Sequence, residues 1–154
     1  LAIHWFCILA ASLDPKNKEQ TEKALLLVYW IVPVLSLVLA VLTYSAALGA
    51  VVSVNTVLPV FLGLLFTVIG NLMPKCRRNY TIGIKIPWTL ENEENWNATH
   101  RFGGKVWMLG GLLLTQCVFL PKNLLGVAIL VIMPALVLIP VVYSFVYYNR
   151  YDKK

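Results

Sequence analysis

Apolar residues run along this chain in long blocks. No Asp, Glu, Lys or Arg occurs within residues 24–74, 106–121 or 123–149, stretches of 51, 16 and 27 residues. A helix crosses a hydrocarbon core of about 30 Å with about 20 apolar residues, so blocks of this size predict transmembrane helices. The first full span is expected over 24–45, with a kink at Pro33, and the second over 51–73, with a kink at Pro59. The short turn 46–50 between them makes an antiparallel hairpin. A third span over 105–120 is short, so Lys105 and Lys122 are expected to snorkel towards the headgroups. The fourth, 124–148, holds Pro134 and Pro140 and ends in Tyr143, Tyr147, Tyr148 and Tyr151, a composition suited to an interfacial belt. Residues 1–13 are apolar but too few to cross, and they stop at Asp14-Pro15. They read as the last two-thirds of a truncated span that begins before Leu1. The predicted fold is an all-α polytopic transmembrane bundle, with four complete spans, one truncated N-terminal span and a loop over 74–104 that carries a short interfacial helix.

Composition removes the soluble alternative. Of the 154 residues 59% are hydrophobic and only 13% charged, against about 25% charged in an ordinary soluble domain. The net charge of +6 could suggest nucleic acid, but basic residues beside apolar spans set membrane orientation, and no direct nucleic-acid contact is expected. Lys16, Lys18, Lys23, Lys75, Arg77, Arg78, Lys85, Arg101, Lys105, Arg150, Lys153 and Lys154 fall on one side of the spans and Lys122 alone on the other. By the positive-inside rule the loop 74–104 and the C-terminus are cytoplasmic and the turns 46–50 and 121–123 face outward. On that side the sequons at Asn79 and Asn97 are out of reach of glycosylation.

Candidate chemistry is sparse. Cys7, Cys76 and Cys117 are odd in number and lack a C-x-x-C spacing, so neither a disulfide framework nor a metal site is indicated. No H-E-x-x-H, G-x-S-x-G or Gly-rich phosphate loop occurs, and no catalytic residue or cofactor is expected. Apart from Lys105 at the headgroup end of the third, the complete spans contain no Asp, Glu, Lys or His at which an ion-coupled transporter could bind charge, and His4 in the truncated span reads as interfacial. Glu91, Glu93, Glu94 and His100 could form an acid/base or metal group. The simpler reading is a helix over 90–102, N-capped by Thr89, with Glu in its first turn and Trp96, Thr99 and Phe102 on one face. That face is read as an anchor in the cytoplasmic interface.

Glycine spacing predicts packing. Gly63 and Gly70, with Thr67 between them, are seven residues apart, and so are Gly103 and Gly110, and Gly104 and Gly111. Seven residues are about two helical turns, so each set lies on one face. In lipid, small residues let backbones approach, and these faces are expected to join the second and third complete spans.

The junction of span and loop reads Gly70-Asn71-Leu72-Met73-Pro74-Lys75, then Asn79-Tyr80, then Gly83-Ile84-Lys85-Ile86-Pro87-Trp88-Thr89-Leu90. Glu94-Asn95-Trp96 and Thr99-His100-Arg101-Phe102-Gly103-Gly104-Lys105 follow. In these blocks the chain resembles the SdpI-like family of bacterial membrane proteins, named for a protein that gives immunity to a sporulation-delaying peptide toxin. The family's usual Gly-Ile-Arg-Thr-Pro-Trp appears here with Lys85 and Ile86, which replaces a forked guanidinium by a point charge and removes a hydroxyl. The resemblance implies about six spans in the whole protein, part of them before Leu1, and a place in the bacterial cytoplasmic membrane. It also implies resistance to a secreted antimicrobial peptide and, as in the best-known member, a cytoplasmic winged-helix repressor held at the membrane. It marks Gly70, Asn71, Pro74, Asn79, Gly83, Lys85, Pro87, Trp88, Thr89, Trp96, Thr99, His100, Arg101, Gly103 and Gly104 as the signature. A transport accessory or small-solute channel subunit is the alternative function, and an enzyme comes third.

Overall fold

The computed structural model describes residues 2–15, 22–50 and 52–152, and the elements described are helical. Lys16, Lys18, Lys153 and Lys154, counted above toward orientation, lie outside the described residues. In chain order the helices are α1 (Ala2–Leu13), α2 (Glu22–Ala47), α3 (Val54–Leu72), α4 (Pro87–Glu91), α5 (Glu93–Gln116) and α6 (Lys122–Tyr147). Helices α2, α3, α5 and α6 are long and apolar enough to cross a membrane. The chain is a multi-pass membrane protein.

The hairpin between α2 and α3 is made by a Schellman turn: Ala50 N–H donates to Ser45 O (2.9 Å) and Gly49 N–H to Ala46 O (3.1 Å), with Gly49 at φ +72°. Pro33, Pro59, Pro134 and Pro140 all sit inside helices that continue through them.

The centre of the bundle is α5, which packs antiparallel against α3 on one side and α6 on the other. A Cβ at Gly63 would lie 2.6 Å from Gly111 O, and one at Gly70 2.7 Å from Gly104 O. These approaches leave no room for a side chain, and Thr67 completes the seam by donating its hydroxyl to Gly63 O (2.8 Å) while filling the space beside Gly111. The other pair of glycines differs from the expectation. Gly110 faces Leu136 and Gly103 faces Pro140, both on α6, so the two heptad-spaced rows of α5 serve two partners. Adjacent positions on a helix are about 100° apart, which is why rows offset by one residue meet different neighbours.

A second difference concerns residues 90–102, which form no separate helix. Thr89 is the third residue of the short α4, and the chain breaks at Asn92, whose side-chain oxygen accepts from Glu94 N–H (2.7 Å) and Asn95 N–H (3.2 Å). Asn92, not Thr89, is therefore the N-cap of a helix that runs unbroken through Gly103 and Gly104 into the span. At 24 residues, α5 is about 36 Å long at 1.5 Å per residue. The span that looked short in sequence is the second part of a longer helix, hidden because its first part carries the charges.

Helices α1 and α2 lie at the periphery. Of the described residues of α2 only Leu42 is buried, and Trp30, Leu37 and Tyr44 are exposed, as expected of a helix bathed in lipid.

Candidate functional site

The segment 73–92 and the first three turns of α5 build a cap over one end of the bundle. Its first unit is local. Asn79, fully buried, accepts from Thr81 N–H (2.7 Å) and Ile82 N–H (2.6 Å) through Oδ1 and donates to Arg77 O (2.7 Å) and Ile82 O (3.1 Å) through Nδ2. All four hydrogen-bonding positions of the amide are used, so Asn79 is a folding device.

The second unit is an aromatic stack. Trp96 has no exposed surface, its Nε1–H donates to Cys76 O (2.9 Å), and its ring lies 3.9 Å from that of His100 at 20°. Ile84 N–H donates to His100 Nε2 (3.0 Å), which must then be unprotonated; His100 Nδ1–H donates to Trp96 O (2.8 Å). The geometry fixes the neutral Nδ1–H form and commits both ring nitrogens. Gly83, at φ +117°, brings the segment in: a Cβ there would strike His100 Nε2 and lie 3.0 Å from the Trp96 ring. Trp96 is thus an interior residue, not the interfacial anchor its spacing suggested, because the face it shares with Thr99 is covered by the segment 76–84 and by α6.

Thr89 binds the next stretch. Its hydroxyl accepts from Ile86 N–H (3.1 Å) and lies 2.8 Å from Ile84 O and 2.9 Å from Ile86 O. Ile86 is the N-cap of α4 and has no side-chain oxygen, so Thr89 takes its N–H instead, and Pro87 fills the first helical position, where no N–H is needed. Arg78 closes the other end of α4 by donating to Leu90 O (3.1 Å) and Glu91 O (3.0 Å). Trp88 packs on the end of α6, 5.5 Å from Phe145 and 6.0 Å from Tyr148, the residue that follows the helix. Lys85, exposed, donates to Tyr80 O (3.1 Å) and Thr81 O (3.2 Å).

Several signature residues do not join this network. Asn71, Pro74 and Arg101 are exposed, and Arg101 donates only to Asn97 O within its own helix (3.3 Å). Glu91, Glu93 and Glu94 are exposed while His100 is buried, so the four are not brought together. Among the described residues no group of three or more His, Cys, Asp or Glu side chains could hold a metal ion. Cys7, Cys76 and Cys117 are free thiols, and burial pushes Cys76 up to about 11.

Three interactions were missed in sequence. Asp14 accepts from Tyr80 N–H and Thr81 Oγ–H (both 2.8 Å) and so ties the end of α1 to the cap. Asn95, Thr99 and Ser144 form a wholly buried clasp between α5 and α6: Asn95 Oδ1 accepts from Thr99 (2.9 Å) and Ser144 (2.7 Å) hydroxyls, and Asn95 Nδ2 donates to Ser144 O (3.3 Å). Trp107 Nε1–H donates to Leu136 O (2.8 Å), the carbonyl that Pro140, four residues on, cannot reach for want of an N–H. The signal for this last pair was in the sequence as Pro140 within an apolar span, but nothing in spacing alone pointed to Trp107.

Comparison with known proteins gives one family similarity. Residues 75–147, which include most of the cap and both of its partner helices α5 and α6, match the SdpI/YfhL protein family. In that segment the chain is similar to the SdpI/YfhL family. It is 29% identical over 142 residues to the immunity protein SdpI of Bacillus subtilis (strain 168), an alignment that covers 92% of this chain and 67% of the relative. No solved structure matches it. The matched segment ends at Tyr147, the last residue of α6, so it takes in most of the cap together with α5 and α6.

Proposed function

We propose that this SdpI-like protein protects a bacterial cytoplasmic membrane against a secreted antimicrobial peptide, by binding the peptide or denying it a target, without turnover. The observation that carries the reading is the state of the signature residues. Asn79, Thr89, Trp96, Thr99 and His100 have their polar atoms engaged inside the chain, which leaves them a structural part and no reacting group. The relative's role as an immunity protein supports the same reading. In this proposal the cap and the C-terminus face the cytoplasm, where the excess of Lys and Arg favours them.

A signalling role is part of the proposal. A winged-helix repressor held at the membrane would meet the exposed surface of the cap, where Glu93 stands clear of the buried network. Substitution at Glu93 should abolish reporter output while protection and abundance persist.

The test is expression in a toxin-sensitive strain, followed by challenge with a panel of purified secreted antimicrobial peptides. Survival with the peptide intact supports immunity. Degradation of the peptide would assign an enzyme, and solute flux into vesicles holding the purified protein would assign a transport component.

A further inference from the structure

The cap leaves a groove of about 680 Å³ on the side of the bundle where α1 and α2 meet α3, a size within the range of ligand pockets. Its walls are apolar: Phe6, Ala10 and Leu13, spaced four and three residues apart on one face of α1, with Ile31 of α2 and Ile69 of α3. Phe6 and Leu13 remain 71% and 72% exposed, so the described residues do not fill the space they border. The groove lies where uncharged spans give way to the charged cap, since Ile69 is in the last turn of α3 and Asp14 is the first charged residue after α1. That is headgroup depth in a bilayer.

Two charged residues, Asp14 and Lys85, border the groove. The Asp14 carboxylate is engaged by Tyr80 N–H and the Thr81 hydroxyl. Lys85 differs: its ammonium carries three N–H groups, two are given to the carbonyls of Tyr80 and Thr81, and it has no ion-pair partner among the described residues. An ammonium with no ion-pair partner among the described residues, fixed by two carbonyls at the mouth of an apolar groove, complements a molecule with one anionic group and a long apolar tail.

We propose that the groove is a binding site for an anionic phospholipid, with the phosphate on Lys85 and an acyl chain between α1 and α3. The chain would be bound as an integral part of the bundle. Because Asp14 joins α1 to the cap at Tyr80 and Thr81, the two residues whose carbonyls hold Lys85, the site would join the peripheral helices to the cap.

The test uses the full chain in nanodiscs of equal parts dioleoylphosphatidylglycerol and dioleoylphosphatidylcholine, released intact into a mass spectrometer. One phosphatidylglycerol should be retained per chain, preferred over phosphatidylcholine by about fivefold or more, the factor expected of one charge-assisted hydrogen bond. Lys85→Gln should remove the preference and Lys85→Arg should keep it. Ala10→Trp, which fills the groove, should abolish retention while the helical circular dichroism is unchanged; Ile69→Trp serves if the first variant fails to fold. Equal retention of the two lipids, or retention unaffected by Lys85→Gln and by the groove-filling variant, overturns the proposal. So does a dimer mass in place of the lipid adduct, which would assign the groove to a second copy of the chain.

Discussion

Gly83 is the residue at which backbone and side-chain demands coincide. Its φ of +117° excludes other L-residues at low cost, and the space a Cβ needs belongs to His100 and Trp96. Gly83→Ala should cost about 2–4 kcal/mol of unfolding free energy through strain and overpacking, measured by denaturant titration in detergent. A loss below about 0.5 kcal/mol, the range of an ordinary surface substitution, would show that the stack yields. Trp107 offers a cleaner test of one hydrogen bond. Trp107→Phe strands Leu136 O in an apolar interior and should cost about 1–2 kcal/mol. In a Pro140→Ala background the helix can supply its own N–H to Leu136, so the cost should fall, and strictly additive costs would refute the pairing. Cys76, with its thiol pushed up to about 11 by burial, holds little thiolate at neutral pH. It should resist maleimide in the folded protein, and labelling as fast as in the unfolded chain would contradict its placement.

At the scale of elements, the sequence showed where the spans are and hid how they end. Long uncharged blocks and the Gly63, Gly70, Gly104, Gly111 spacing locate α2, α3, α6 and the seam of α3 with α5 because both signals are periodic and need no knowledge of partners. The continuity of α5 was obscured by its own charge: Glu93, Glu94 and Arg101 read as part of a separate short helix and Lys105 as the start of a span, yet all lie on one helix with buried Asn95, Trp96, Thr99 and His100. Burial of four such side chains depends on the segment 76–84 and on Ser144, contacts distant in sequence and invisible to spacing. The caps follow the same logic. Asn92→Ala should destabilise by about 1 kcal/mol as the N-cap of α5 is lost. Ile86→Thr should stabilise by up to about 1 kcal/mol, since it returns a hydroxyl to the N-cap of α4. Thermal unfolding in detergent checks both, and opposite signs would contradict the assigned caps.

On the scale of the whole molecule, α5 links the cap to the spans, so damage in the membrane should be felt in the cap. Gly111→Leu forces α3 and α5 apart where Gly63 O and Thr67 now lie 2.5 Å from the site of a Cβ. The amides of Thr81, Ile82 and Ile84, held by Asn79 and His100, should then exchange with solvent faster than in the parent chain. Orientation is tested at Glu93, exposed and beside the helix cap: an impermeant thiol reagent applied to intact cells should leave Glu93→Cys unlabelled if the cap is cytoplasmic. The central claim is protection without chemistry. The most direct measurement is the amount of intact peptide remaining, by mass spectrometry, in a challenged culture that survives because it expresses the protein. The account predicts survival with the added peptide fully recovered in intact form; survival accompanied by its cleavage or modification would contradict it.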